Sequence, residues 1–422
     1  MDEASGHAGW GWDDLVPYLR DQEGNERLDN EAHGAEGPMK VSDPRYVVEM
    51  THRFLRTMQR LGLPFRADLH DGELGGVGFV QTTTAAGRRC SAADAFLTPI
   101  LKDPRLTLVT GATVSRVLFE GARATGVEYL RDGKVETAHA AREVVLAAGA
   151  LVTPKLLMLS GIGPAGELAR HGIALRHDLP VGRNLQDHVI VALAATADPG
   201  LGYAGEERGW RMLRNGLRYL LFRDGPVASN GSEAMAYVRV DEASPEADLQ
   251  LYCVSILSPQ AGAGSAHGVT LLANLLRPRS RGTVTLASAD PADDPVIDLN
   301  WLSDPQDLAV LVKGLRYLRT VLGTAPLASV VRQELFPGEG VDTDEALGAM
   351  VRATAGTNYH PCGTCRMGAE DDPTAVLTPD LKVKGVDGLR VLDASMMPSI
   401  ISTNLNATAM AVAAKGVDLM MR

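Results

Sequence analysis

The 422 residues predict an α/β protein in which a nucleotide-binding layer and an antiparallel-sheet domain are interleaved along one chain. Three observations carry that expectation. First, Arg142–Ala148 contains the apolar run Val-Val-Leu-Ala-Ala, the pattern of a strand buried on both faces in a parallel sheet. It passes through Gly149-Ala150 into a helix begun near Pro154, since proline suits a first turn. Second, strand-like segments separated by glycine turns cluster at Leu106–Thr110, Thr113–Glu120 and Ala124–Leu130, with corners at Gly111 and Gly121. Third, a domain takes about 150 residues, so this length holds two or three. A composition of 45% hydrophobic and 22% charged residues is that of an ordinary globular chain.

In order, residues 9–21 read as a short helix capped by Asp13 or Asp14, followed by a polar loop to about Pro38. Val47–Leu61 places Val48, Met50, Phe54, Leu55, Met58 and Leu61 near helical spacing, and Gly62 stops it. Phe79–Thr84 alternates weakly as a strand, and Ala92–Leu101 reads as a helix. Between Leu193 and Gly268 the pattern is harder to read: helical stretches lie in Leu201–Leu221, and strands at Asp248–Ile256 and Val269–Leu276 flank a Gly-rich loop, Gln260–Gly268. A strand at Thr283–Ser288, helices at Pro305–Val321 and Thr343–Thr354, a short strand at Leu389–Leu392 and a helix over Ala407–Met421 complete the chain.

A net charge of −11 without a basic stripe argues against a nucleic-acid or anionic-membrane partner. No apolar run approaches the ~18–20 residues that span a bilayer. The opening Met-Asp-Glu-Ala-Ser-Gly-His carries acid where a signal peptide needs positive charge. Four cysteines are too few for a disulfide framework. The chain therefore reads as cytoplasmic.

Gly161-Ile-Gly-Pro-Ala-Gly166 spells G-x-G-x-x-G with Asp187 at a suitable distance. A dinucleotide loop must follow a strand and open a helix, whereas Pro154–Ser160 is itself helical, so the segment reads as a helix–helix turn. Cys362-Gly-Thr-Cys365 lacks partners for zinc, with Cys90 and Cys253 isolated, and lacks the strand-to-helix setting of a redox pair. It reads as incidental, and no metal is expected. His188 reads as a structural, hydrogen-bonded histidine and not as a base.

Thr357-Asn-Tyr-His-Pro-Cys-Gly-Thr-Cys-Arg-Met-Gly368, Asp393-Ala-Ser-Met-Met-Pro-Ser399 and Gly149-Ala-Leu-Val-Thr-Pro-Lys-Leu-Leu-Met-Leu-Ser-Gly-Ile-Gly163 remain. Together they resemble the signatures of the glucose-methanol-choline (GMC) family of flavin oxidoreductases, and Pro180-Val-Gly-Arg-Asn-Leu-Gln-Asp-His188 resembles the family's following loop. The resemblance implies FAD as cofactor, with hydride transfer from the CH–OH group of a primary alcohol or choline-like substrate. It implies His360 as catalytic base and Asn404 as its partner, with Asn406 a close rival. It implies FAD contacts at Val114 (adenine), Asp393 and Ala394 (pyrophosphate), and the helix starting at Asn406 (flavin ring). The implied domains are 1–37, 86–192 and 355–422 for FAD, and 38–85 and 193–354 for substrate. The family's opening strand–G-x-G-x-x-G–helix unit has no counterpart in these residues. The FAD-binding layer is therefore expected to be incomplete at its N-terminal side, and the chain to bind FAD weakly. The low aromatic content, 5%, favours a neutral alcohol over choline. A GMC-type hydroxynitrile lyase and a non-catalytic remnant stay open, as do oxygen, quinone or cytochrome as electron acceptor, and homo-oligomerisation.

Overall fold

A computed structural model describes residues 9–262 and 266–422. The acidic opening segment up to residue 8 and the middle of the Gln260–Gly268 loop lie outside the described residues. Eight α-helices are described: α1 Trp12–Gln22, α2 Glu49–Arg60, α3 Gly149–Leu159, α4 Ala165–Arg170, α5 Gly209–Phe222, α6 Pro305–Leu322, α7 Asp344–Thr354 and α8 Asn406–Met421.

The largest sheet has seven strands. Its order is Val331–Phe336, Val189–Ala197, Gly268–Leu275, Leu249–Val254, Ala234–Val238 and Gly76–Phe79, with Gly356–Thr357 paired to the start of the Val189 strand. Every pairing in it is antiparallel. Alternation along the strands gives the two faces different chemistry. Leu249, Leu251 and Cys253, with Val269, Leu271, Ala273 and Leu275, turn to a core shared with Phe54 of α2 and Leu311, Leu315 and Leu318 of α6. The intervening Gln250 and Asn274 are paired across the strands and turn to the other face. They are as buried as the core, at 0% exposure, yet polar.

A second core gathers α3, α8, Trp10 and Leu15 around a two-stranded parallel sheet, Val144–Leu146 with Leu389–Val391. The parallel strand expected at Arg142–Ala148 is present, shortened to three residues. Beside it lies a three-stranded antiparallel sheet of Ala112–Glu120, Arg123–Arg131 and Lys134–His139, docked on α3 where Val117 N–H donates to Ser160 Oγ at 2.9 Å.

Several expectations need correction. The first helix is capped by Gly11, whose N–H donates to Asp14 three residues on; Asp13 and Asp14 lie in its first turn. Pro154 is inside α3, not at its start. Proline has no N–H to offer the carbonyl four residues back, and that carbonyl, of Ala150, accepts the Thr364 hydroxyl at 2.6 Å instead. The strand expected at Phe79–Thr84 is displaced to Gly76–Phe79, where the Ala234 strand offers an edge. Ala92–Leu101 forms a π-turn and a 3₁₀ turn instead of an α-helix. Leu106–Thr110 pairs with no strand among the described residues, and Leu108 is 52% exposed: its composition suits a sheet, but no edge meets it. The strands Val189–Ala197, Ala234–Val238 and Val331–Phe336 were not expected. As predicted, Gly161–Gly166 links α3 to α4 and is a helix–helix turn. Helix α5 is amphipathic but buries only Asn215, leaving Trp210, Leu213, Leu217 and Leu220 exposed.

Candidate active site

The site forms where the seven-stranded sheet meets the second core. The chain through Gln186–Ile190 runs antiparallel to Gly356–Cys362: Val189 faces Thr357 and Ile190 faces Gly356, while Gln186 and Cys362 exchange backbone hydrogen bonds of 3.0 and 2.9 Å. Between those bridges Asp187 and His188 oppose the four residues Asn358–Pro361, so the second strand must bulge outward. Tyr359 makes the reversal with φ +62°, unusual for a non-glycine residue, and is 84% exposed. Pro361 disfavours a helical conformation at His360, which keeps the loop open. Gly363 closes it with φ +89°, where a Cβ would lie 2.6 Å from Asn184 O.

Asp187 fastens this bulge. Its carboxylate accepts the backbone N–H of His360 at 2.9 Å and the Thr357 hydroxyl. Burial pushes the Asp187 carboxyl up from its ordinary range, against the hydrogen bonds that favour its charge.

The structure brings His360 and Asn404 together. Asn404 Nδ2 is 3.3 Å from His360 Nε2 and 3.3 Å from the Tyr252 hydroxyl. Behind Asn404, Gln250 Nε2 donates to its Oδ1 at 3.2 Å, and Asn274 Nδ2 donates to Gln250 Oε1 at 3.2 Å. The Tyr252 hydroxyl donates to the same Gln250 oxygen at 2.6 Å. The polar face of the sheet is thus a buried bracket for one exposed amide. His188 Nδ1 meets His360 Nδ1 at 2.9 Å. Burial holds the pKa of His360 down at about 4, and burial followed by the neighbouring His360 holds His188 at about 4, so both rings are neutral at pH 7.

The other expected residues lie around this pair. Asn406 is the first residue of α8 and is exposed, one step past the buried Leu405; no hydrogen bond links it to His360 among the described residues. Asp393 is drawn to the start of α3, where its carboxylate accepts Gly149 N–H at 2.9 Å and Thr153 Oγ1–H at 2.6 Å, while its other oxygen accepts Ser395 N–H at 2.8 Å. Ala394 follows it, its carbonyl accepting Gly363 N–H at 3.1 Å. Val114 sits on the three-stranded sheet, packed against the second core. Cys362 and Cys365 are free and buried at 0% exposure, and burial pushes both thiols well above their ordinary pKa.

Sequence reasoning missed the roles of Asp187, Gln250 and Asn274, and missed the contact between His188 and His360. A signal for Gln250 was present: Leu-Gln-Leu-Tyr-Cys-Val alternates apolar residues with Gln and Tyr inside a strand whose whole length is buried or half-buried.

FAD can be tested against these donors. Helix α8 opens without a side-chain cap, with Asn406 and Ala407 exposed, so its first-turn N–H groups and positive end are available to a carbonyl or anionic ring edge. That end lies in the same short segment as Asn404, which fits the ring end of a flavin beside His360 and Asn404. Asp393, expected near the diphosphate, is committed to Gly149, Thr153 and Ser395, so it shapes the turn and does not supply a free charge.

Comparisons with known proteins place the chain in a family. GMC oxidoreductase family profiles match residues 2–190 and 278–413. An alcohol dehydrogenase [acceptor] of Pseudomonas putida is 37% identical over 434 residues, covering 100% of this chain and 77% of the relative. An oxygen-dependent choline dehydrogenase of Brucella canis is 37% identical, covering 98% of this chain and 76% of the relative. Among solved structures, a formate oxidase superposes with TM-score 0.91 at 29% identity, covering 99% of this chain and 79% of that one. A pyridoxine 4-oxidase superposes with TM-score 0.88 at 30% identity, covering 98% and 78%. The chain belongs to the GMC oxidoreductase family and is an FAD-dependent oxidoreductase of that family.

Proposed function

We propose that the protein oxidises the CH–OH group of an alcohol, with His360 taking the hydroxyl proton and Asn404 holding the oxygen. The observation that carries this is the His360 Nε2–Asn404 Nδ2 pair, 3.3 Å apart at the open side of the site. An alcohol hydroxyl that displaces this contact would receive a hydrogen bond from the Asn404 amide while its proton points to the imidazole nitrogen. A neutral, partly buried imidazole can accept a proton, and an amide N–H can stabilise the developing alkoxide without competing for that proton. Bound FAD supplies the hydride acceptor for the carbon. Asp187 contributes by fixing the loop that carries His360, and Gln250 by turning the Asn404 amide so that its NH₂ faces the site.

A neutral primary alcohol is favoured over choline. The side chains bonded to the catalytic pair are Asn358, Tyr252, Gln250 and His188, which offer polar, uncharged contacts. A quaternary ammonium calls for an aromatic cage or a carboxylate, and the buried Asp187 is turned to the loop backbone. The relatives named alcohol dehydrogenase and choline dehydrogenase bracket this choice.

The test is alcohol-dependent dye reduction, without oxygen, by the protein in saturating FAD. Primary alcohols should drive it, and His360→Ala should lower the rate by about 10²–10⁴-fold with flavin uptake unchanged. Absence of reduction by primary alcohols and by choline would overturn the reading. Repeating the assay with oxygen or a quinone in place of the dye assigns the acceptor. Flavin absorbance after gel filtration measures how firmly the protein retains FAD.

A further inference from the structure

The His188–His360 contact fixes more than position. The two rings meet edge to face, with centroids 5.1 Å apart and planes at 86°, and the bridging atoms are both Nδ1, at 2.9 Å. A neutral imidazole has one N–H and one bare nitrogen, and two bare nitrogens cannot bond. One of these Nδ1 atoms therefore carries a proton.

The far side of His188 decides which. Its Nε2 lies 3.1 Å from Leu276 O and 3.0 Å from Ile401 O, and both of those are acceptors only. The His188 ring is 0% exposed, so water does not take up the balance. Its one proton must be on Nε2, shared between the two carbonyls; a bare Nε2 there would set three lone-pair atoms against one another. Its Nδ1 is then an acceptor, and His360 must donate from its own Nδ1. That leaves the lone pair of His360 on Nε2. Asn358 Nδ2 also approaches His360 Nδ1, but at 3.5 Å it does not rival the 2.9 Å contact.

Asn404 agrees independently. Gln250 Nε2 holds its Oδ1, so the NH₂ group is what faces His360 Nε2, and an NH₂ group needs a bare nitrogen there. We propose that His188 is a positioning residue that locks His360 in its Nδ1–H tautomer, keeping the Nε2 lone pair turned to Asn404 and the substrate hydroxyl. This rests on the reading of His360 as base only for its consequence in turnover; the tautomer stands on the hydrogen bonds alone. Burial, which keeps both rings neutral, closes the remaining route of a shared extra proton.

The experiment is ring-nitrogen NMR of the protein labelled with ¹⁵N-histidine, at neutral pH, with the His360 signals identified by their loss in His360→Gln. The expected wild-type pattern is a protonated Nδ1 and a bare Nε2, the reverse of the form free imidazole side chains favour. His188→Leu should return His360 to the free-imidazole mixture, whereas His188→Asn, whose Oδ1 can accept near the position of Nδ1, should keep the Nδ1–H form. Turnover in saturating FAD should follow the same order. kcat should fall about 10- to 10²-fold in His188→Leu with KM little changed, since an unlocked ring still visits the productive tautomer, and should recover in part in His188→Asn. A wild-type His360 protonated on Nε2, or a tautomer unmoved by His188→Leu, would overturn the proposal. Because the wild-type spectrum decides by itself, a variant that fails to fold does not blunt the test. The expected tautomer alongside full turnover in His360→Ala would instead sink the catalytic reading and leave the lock standing.

Discussion

The seven-stranded sheet and the parallel pair Val144–Leu146/Leu389–Val391 belong to different cores, and this chain closes them to very different degrees. In the sheet, Val189–Ala197 is paired on both sides, and Val189, Leu193, Ala194 and Ala195 are wholly buried. In the parallel pair, Leu389–Val391 is also bridged on its outer edge, where Val383 N–H donates to Leu389 O at 3.0 Å, but Val144–Leu146 is paired only with Leu389–Val391 among the described residues; Val145 is 36% exposed, and Ala147 and Ala148 beyond it are exposed as well. Isolated two-strand sheets have little stability of their own, so this pair depends on α3 and α8 packed against it. The side chains that support His360 and Asn404 belong to the closed side: Gln250, Asn274 and His188 are all buried in it or against it. The residues expected near the FAD phosphates, Asp393 and Ala394, belong to the other side. Chemistry and cofactor retention should therefore respond to different substitutions.

That separation can be strained from both ends. The largest effect is expected for Leu271→Ala in the middle of the sheet, opposite both Leu193 and Cys253. It should lower unfolding free energy by about 2–5 kcal/mol, as truncations in closed cores do, measured by urea denaturation. Next is Gln250→Leu, which keeps the volume but strips Asn404 Oδ1 and Asn274 Nδ2 of their buried partner. A cost of about 1–3 kcal/mol is expected, together with a fall in kcat that leaves FAD uptake unchanged. Loss of flavin with kcat per bound flavin intact would break the assignment of this bracket to chemistry. The smallest is Val145→Thr on the open pair, expected within about 0.5 kcal/mol of wild type because the side chain already meets solvent. A cost as large as that of Leu271→Ala would mean that the pair is covered in solution.

Local signals in the sequence located much of this. Helices α2, α6, α7 and α8 are legible from apolar spacing and stop residues, and the Leu249 and Gly268 strands from alternation. The Val189 strand was missed because a strand buried on both faces loses its alternation, and Val-Ile-Val-Ala-Leu-Ala-Ala-Thr-Ala shows neither period. Leu106–Thr110 failed in the opposite sense: its composition suits a strand, but pairing needs an edge that composition does not report. His360 and Asn404 came from the family resemblance, and Asn404, not Asn406, is the one that lies against His360. The support beneath them could not be read locally. Asp187 lies 173 residues from His360, and Gln250 lies 154 from Asn404, so only the tertiary fold brings them together.

In the proposed reaction a neutral His360, its pKa held down by burial, accepts the substrate proton. Such a base works only unprotonated, so kcat/KM should be level at neutral pH and decline on the acid side. The decline should centre well below the ordinary imidazole value of 6.5, in the direction of about 4. Both histidines have folded pKa values below their unfolded ones, so the unfolded chain binds more protons between about 6.5 and about 4 and stability falls across that window. Initial rates corrected for active enzyme at each pH are therefore the quantity to plot. The measurement is the pH profile of kcat/KM for a primary alcohol in saturating FAD, for wild type and His360→Ala. An acid limb centred below about 5.5 is expected in wild type and absent from the residual activity of the variant. A limb at or above about 7, or the same limb persisting in His360→Ala, would contradict it.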